Sequence, residues 1–282
     1  MSFDVSIGQY YETGSIIHRL DPRTKLFFVL MYIISIFVAH EIYAFVFLTA
    51  VMILTLIISR VPVKAVLKGL KPITVIVIFT ALLNMFLTVA ESEPLFSVEI
   101  IPDFWTLTLY KEGLINAGIL ALRIIILLLE TSILFSYATT PIELTDGLEM
   151  SLSPLKKIKL PVHEFAMMMT IALRFIPTLV EETSKIMNAQ KARGADFSSG
   201  GLIKRAKALI PIIIPLFISS FRRAEELAVA MECRCYHGGN GRTRMKQLKM
   251  RLKDYIGLLL SIAVLVAVIL LNTYTSVYSI KG

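Results

Sequence analysis

The run Ile42-Tyr43-Ala44-Phe45-Val46-Phe47-Leu48-Thr49-Ala50-Val51-Met52-Ile53-Leu54-Thr55-Leu56-Ile57-Ile58-Ser59 contains no charged residue. As a helix rising ~1.5 Å per residue it would be about 27 Å long, close to the ~30 Å hydrocarbon core of a bilayer. Comparable runs surround it. Leu26–Ala39, Pro72–Ala90 and Tyr255–Thr273 are free of charge, and Gly113–Ala138 carries only Arg123 and Glu130. The first run is short, and His40-Glu41 follows it, so Leu26–Ser59 reads as a tight hairpin of two spans and the total as about five crossings. Composition agrees: the chain is 56% hydrophobic and 18% charged, whereas a soluble domain sits near 45–50% and about 25%. That balance excludes a soluble enzyme, a disordered scaffold and a secreted disulfide framework. Cys233 and Cys235 are its two cysteines, and one intervening residue does not allow an unstrained bridge in a helix. The expected fold is an all-α integral membrane protein. No cleavable signal peptide is expected, since residues 1–25 have no apolar core of their own.

Loop charge sets the expected orientation. The connection from Arg60 to Lys71 holds Arg60, Lys64, Lys68 and Lys71 and no acid. The connection from Glu91 to Glu112 holds Glu91, Glu93, Glu99, Asp103 and Glu112 against Lys111 alone. The first then faces the cytoplasm and the second the outside, with the N-terminus inside and the tail after residue 273 outside. The expected organisation is a four-span membrane domain (1–138), a cytoplasmic segment (139–254) and a last span with its tail (255–282).

The segment from Thr139 to Asp254 holds 19 Lys/Arg and 11 acids, so anionic headgroups would attract it. Its cations alternate with apolar helical stripes rather than cluster with stacking aromatics, which argues against nucleic acid. Phe165, Met168, Ala172, Phe175, Leu179 and Ile186 recur at helical spacing. So do Ile203, Ala206, Ile210, Ile213, Phe217, Phe221, Ala224, Ala228 and Met231. The spacing predicts two long amphipathic helices. Pro161 suits the start of the first, and Pro177, Pro211 and Pro215 should bend them. The charge-free Ala208–Phe221 is too short to span comfortably and is expected under or within the inner membrane face.

Each of these helices ends with an Arg between small residues, in Ala192-Arg193-Gly194 and in Cys233-Arg234-Cys235, 41 positions apart. One reading is local: Arg complements the negative helix end and Gly194 supplies a left-handed cap. The other is a plug, in which an unobstructed guanidinium enters a groove of another protein and meets carboxylates or carbonyls there.

These residues resemble the transmembrane T component of energy-coupling factor (ECF) transporters, the EcfT family with its CbiQ relatives. Three stretches carry the resemblance: Gly8-Gln9-Tyr10 with His18-Arg19-Leu20-Asp21-Pro22-Arg23-Thr24-Lys25-Leu26; Arg174-Phe175-Ile176-Pro177 leading to Ala192-Arg193-Gly194; and Arg223-Ala224-Glu225 through Ala230-Met231-Glu232-Cys233-Arg234-Cys235-Tyr236. The second Arg site departs from Ala-Arg-Gly by its cysteines, and Cys235 is not expected to match glycine as a cap. The resemblance implies a non-catalytic subunit in a bacterial cell membrane. Two cytoplasmic ATPases would each receive one Arg-tipped helix and bind the ATP and Mg, with no cofactor held in this chain. A small membrane S component would lie on the apolar surface, here Met167, Met168, Met169, Ile210, Ile213, Ile214 and Phe217. Vitamins or other micronutrients are the implied cargo. The sequence contains no Gly-Lys dipeptide, so it has no GxxxxGK[ST] phosphate loop of its own.

Other chemistry is weaker. Arg123 and Glu130, two helical turns apart, suit a structural ion pair or local contacts facing the bundle interior, with a transport or proton relay as the alternative. His163-Glu164 begins an HExxH motif, but Met167 occupies the second histidine position. Glu181-Glu182 and Glu225-Glu226 lack the following Arg of paired-glutamate membrane proteases. Cys233, Cys235 and His237 are too close together for good metal geometry. Trp105 and Tyr110 suit an interfacial anchor. The rival class is a self-sufficient secondary carrier or channel, which would need a midplane polar site.

Overall fold

The computed structural model describes residues 10–87, 96–101, 105–154, 161–197, 201–238, 248 and 250–279; Gly8 and Gln9 of the N-terminal signature lie outside them. The described residues divide into two compact units, residues 10–144 with 248–279, and residues 145–238.

The larger unit contains α1 (Pro22–Val38), α2 (Ile42–Ser59), α3 (Val63–Leu87), α4 (Lys111–Thr131) extended by a π-helical turn (Ser132–Tyr137), and the last helix, α8 (Leu252–Ser279). Between α3 and α4 lies an antiparallel hairpin, β1 (Phe96–Ile101) with β2 (Trp105–Leu109), in which Phe96 faces Leu109 and Val98 faces Leu107 across the register. The anchoring expected of the Trp105 side chain lies outside what is described; Tyr110 is half-buried.

Among the described residues, four helices are long and apolar enough to cross a membrane: α2, α3, α4 with its π turn, and α8. The fifth expected span, α1, has 17 residues, or about 26 Å, and falls just short of that length. Its start is fixed locally: the Asp21 carboxylate accepts the Arg23 amide and Pro22 occupies the first turn. The expected basic loop shrinks to Arg60–Pro62, because helix α3 begins at Val63 and carries Lys64, Lys68 and Lys71 on its first turns. Helix α8 runs on to Ser279, past residue 273, where the tail was expected to begin.

Both ends of the larger unit are tied. At one end Asp254 closes α8 against α1: its carboxylate accepts the Asp21 amide at 2.7 Å and the Arg251 amide at 2.7 Å. The Lys25 ammonium, fully buried, donates to the Ala138 carbonyl at 2.7 Å and the His18 carbonyl at 3.3 Å. Thr13 donates to the Ser59 carbonyl at 2.7 Å, and His18 lies within 2.7 Å of the Ser15 hydroxyl and the Tyr11 carbonyl. The Tyr11–Lys25 stretch thereby joins α1, the end of α2, the π turn and α8. At the other end Asn272 donates to the Val38 carbonyl at 2.6 Å and Arg123 to the Ala39 carbonyl at 2.9 Å. Between them Tyr32, Ile36, Phe45, Leu48, Ile126, Ile133 and Val268 belong to one buried hydrophobic core.

Arg123 and Glu130 do not pair with each other. Arg123 takes the Ala39 carbonyl and lies 5.4 Å from the Phe45 ring centroid, while Glu130, fully buried, accepts from the Thr55 hydroxyl at 2.8 Å. Each side chain is held by one hydrogen bond to the α1–α2 hairpin, and Arg123 Nε and Glu130 Oε1 are left without a partner among the described residues, so of the two structural readings local contacts replace the ion pair.

Candidate functional site: two arginine-tipped helices

The smaller unit is dominated by α6 (Val162–Ala192) and α7 (Leu202–Cys233), 31 and 32 residues long, reached through α5 (Pro141–Ser151). Pro161 caps α6, and the helices run continuously through Pro177 and through Pro211 and Pro215. His163 at the start of α6 bonds Glu149 of α5 at 3.0 Å, so the residue that opened the incomplete HExxH motif serves packing.

Antiparallel crossing of α6 and α7 is fixed by one polar clamp. Glu182 accepts from the Ser219 hydroxyl at 2.5 Å and from the Arg223 guanidinium at 2.9 Å. The Ser219 hydrogen bond, and then Arg223, hold the Glu182 carboxyl below the usual carboxylate range. Glu181, Glu225 and Glu226 are exposed. Beyond the clamp, the second half of α7 lies along the first half of α6. Arg234 shares a groove with Ile171, Arg174, Phe175 and Arg223, and a cavity of about 370 Å³ with Met167, Ile171 and Met231. Met167 thus lines the cavity at the α7 tip and is half-buried, whereas Met168 and Met169 are exposed.

The two tips are built alike. After α6, the Gly194 amide donates to Lys191 at 2.9 Å and the Ala195 amide to Gln190 at 3.0 Å; after α7, the Cys235 amide donates to Glu232 at 2.8 Å and the Tyr236 amide to Met231 at 3.0 Å. Both are Schellman caps with Arg at the C-cap and a left-handed residue behind it. Gly194 has φ +86° and Cys235 φ +55°. Cys235 thus does take the glycine conformation, contrary to expectation, because two cap hydrogen bonds outweigh the ~1–2 kcal/mol that an L-residue loses there. Arg193 and Arg234 are both exposed and neither has an ion-pair partner among the described residues. Since Ile171 borders the Arg234 cavity, Arg193 stands 22 positions farther along α6, about 33 Å away along the helix. The geometry presents two cations at separate ends of a crossed pair.

The predicted apolar stripe of α7 is present but uncovered. Leu209, Ile213, Phe217 and Phe221, with Ile210, Ile214 and Ile218 beside them, follow i, i+4 steps and are each at least 42% exposed. Ile212 and Ser219 are the buried positions of the same stretch. Cys233 and Cys235 are free and exposed, and no group of metal-ligating side chains occurs among the described residues. Sequence reasoning missed the Glu182–Ser219–Arg223 clamp, whose members are 37 and 41 positions apart and share no local motif.

Comparison with known proteins follows the same architecture. The CbiQ family model, described as a cobalt transport protein, matches residues 13–246. The chain is 51% identical over 269 residues to the energy-coupling factor transporter transmembrane protein EcfT of Clostridium kluyveri, covering 95% of this chain and 97% of that protein. It is 47% identical over 263 residues to the protein of the same name from Bacillus subtilis, covering 93% and 96%. The Lactococcus lactis protein of that name is 42% identical over 271 residues, covering 96% and 98%.

Proposed function

The chain belongs to the EcfT family of energy-coupling factor transporter transmembrane proteins, and from that premise we propose that it is the non-catalytic coupling subunit of an ATP-driven importer of vitamins or other micronutrients. Two cytoplasmic ATPases bind the nucleotide and Mg. One grips the tip formed by Ala192, Arg193 and Gly194, the other the tip formed by Cys233, Arg234 and Cys235. A small substrate-binding membrane subunit rests on the α7 stripe around Ile210, Ile213, Ile214 and Phe217, flanked by Met168 and Met169. The N-terminus and the α6–α7 unit face the cytoplasm. Closure of the ATPases draws the two tips together, and the crossed pair, pivoting near the Glu182 clamp, shifts the stripe and the subunit on it.

The observation that carries this reading is the pair of identically capped, exposed, unpaired arginines held about 33 Å apart along α6. One cap alone would be ordinary helix chemistry. A guanidinium with no acid partner of its own has its full hydrogen-bonding fork left for a carboxylate or carbonyl groove. The uncovered apolar stripe supports a membrane-embedded partner in the same unit. The carrier alternative finds less support, because Arg123 bonds the Ala39 carbonyl and Glu130 the Thr55 hydroxyl rather than converging on one midplane polar site.

The test is charge reversal of both tips. Arg193→Glu with Arg234→Glu should abolish copurification of the ATPases and ATP-dependent uptake, each single change having an intermediate effect. Retained assembly and uptake in the double variant would refute the grip, and gradient-driven flux by the chain alone in vesicles would favour the carrier.

A further inference from the structure

An apolar crevice of about 730 Å³ opens on the larger unit between α1, α2 and α8. Along α8 its lining runs from Lys253 to Ala267, and along α2 from Phe47 to Ile58. Those 14 and 11 steps correspond to about 21 and 17 Å, the depth of roughly one leaflet of a ~30 Å hydrocarbon core. Val51, Leu54, Leu260 and Ala263 line its apolar length; the charged lining residues, Lys25 and Lys253, both lie at the Asp21–Asp254 end. The crevice therefore has a polarity: greasy for a leaflet's depth, cationic at one mouth.

That mouth continues into a second, smaller pocket of about 420 Å³, which shares Ile16, Ile58 and Lys253 with the crevice and adds Arg19 and Arg60. No acidic side chain lines either pocket. Arg19, Arg60 and Lys253 are exposed, and none forms an ion pair with a described residue. Arg60 stands out further. It caps α2 in the left-handed conformation, φ +55° and ψ +24°, where glycine or asparagine would avoid strain. The chain accepts that cost at a position whose cation borders the pocket, in keeping with strain that persists at binding sites.

We propose that these adjoining pockets form a binding site for one anionic glycerophospholipid. An acyl chain would lie in the α1–α2–α8 crevice, and the phosphate would be held by Arg19, Arg60 and Lys253. The charge complementarity selects this occupant. A transmembrane helix of a partner would fill the apolar crevice but leave three cations at its mouth unmatched, and a zwitterionic lipid would carry its own cation to them. The inference stands apart from the coupling role and from the two helix tips.

Native mass spectrometry of the full-length, delipidated chain titrated with phosphatidylglycerol or phosphatidylcholine of identical acyl chains reads the site directly. Each cation near a headgroup is worth about fivefold in affinity, so the wild type should favour phosphatidylglycerol by at least about tenfold. The Arg19→Ala, Arg60→Gly, Lys253→Ala variant should bring the preference below about twofold. Arg60→Gly suits the left-handed backbone, so loss of binding will not reflect a lost cap. Ala263→Trp, which obstructs the crevice and leaves the cations, should remove retention of both lipids while the fold is checked by helical circular dichroism. Glycerol phosphate without acyl chains should not displace the bound lipid at equal concentration. Equal binding of the two lipids by the wild type, an unchanged preference in the triple variant, or displacement by glycerol phosphate alone would each overturn the proposal. So would exclusion of phosphatidylglycerol from the crevice by a membrane partner in the assembled complex.

Discussion

Replacing Gly194 by alanine and Cys235 by glycine should move the two helix tips in opposite directions. Both positions sit behind the C-cap arginine with positive φ, +86° and +55°, and both feed the same pair of cap hydrogen bonds. A left-handed L-residue loses about 1–2 kcal/mol relative to its preferred conformation. Glycine offsets about 0.5–1 kcal/mol of that through the greater freedom of the opened chain. A Cβ added at Gly194 meets nothing within 4 Å, so no clash enters. The net is ~1 kcal/mol, against the cap in Gly194→Ala and in its favour in Cys235→Gly. That corresponds to about fivefold in local opening. Amide hydrogen exchange of the full chain in detergent resolves it: the Ala195 amide should exchange about fivefold faster in the first variant, and the Tyr236 amide about fivefold slower in the second. Equal shifts of the same sign at both tips would mean that the caps are not conformationally matched, and the reasoning from backbone geometry would fail.

Three further outcomes follow from the packing. Gly257 in α8 lies so close to α1 that an added Cβ would stand 2.8 Å from Thr24 Cγ2, itself buried; Gly257→Ala should destabilise the chain by about 1–3 kcal/mol, and Thr24→Ser in the same chain should recover most of it in a thermal unfolding measurement. Asp254→Asn replaces one of two amide acceptors by a donor facing the Asp21 or Arg251 amide, and should cost about 1–3 kcal/mol in the same assay. Because the Glu182 carboxyl is held below its usual range, the stability that the clamp contributes is fully present above the ordinary glutamate value of about 4.3 and is lost as pH falls through the lower folded value. The difference in unfolding temperature between the wild type and Glu182→Gln should therefore stay constant from about pH 8 to 5 and close only below about pH 4; a difference that closes near neutrality would contradict it.

Most of the helices were legible because burial in lipid leaves a plain mark: a charge-free run of membrane length needs no partner to be recognised. Their ends were less so. Lys64, Lys68 and Lys71 read as a loop because cations cluster at span boundaries, yet they lie on the first turns of α3, where lysine is a good helix former. Charge pattern also hid the β1–β2 hairpin, although the alternation Trp105-Thr106-Leu107-Thr108-Leu109 carries a strand period. At the site, Arg193 and Arg234 were visible from their small neighbours and matched positions. The left-handed Cys235 was not, since intrinsic preference argues against it and only the completed cap hydrogen bonds reverse the balance. Nor could spacing separate Met167, turned to the α7 tip, from exposed Met168 and Met169, because helix-surface periodicity does not say which neighbour covers a face.

The chain's two cysteines flank Arg234, and both are free and exposed, so the wild-type sequence already contains a reporter of the second tip. Maleimide labelling of Cys233 and Cys235, counted by intact mass, can be compared between the isolated chain and the chain purified from native membranes with the ATPases proposed to bind it. If an ATPase grips this tip, labelling in the complex should fall by at least about tenfold, the protection expected of thiols sealed in an interface by ~1.4 kcal/mol or more. Equal labelling of the free and assembled chain would show the arginine standing in solvent and would contradict the account.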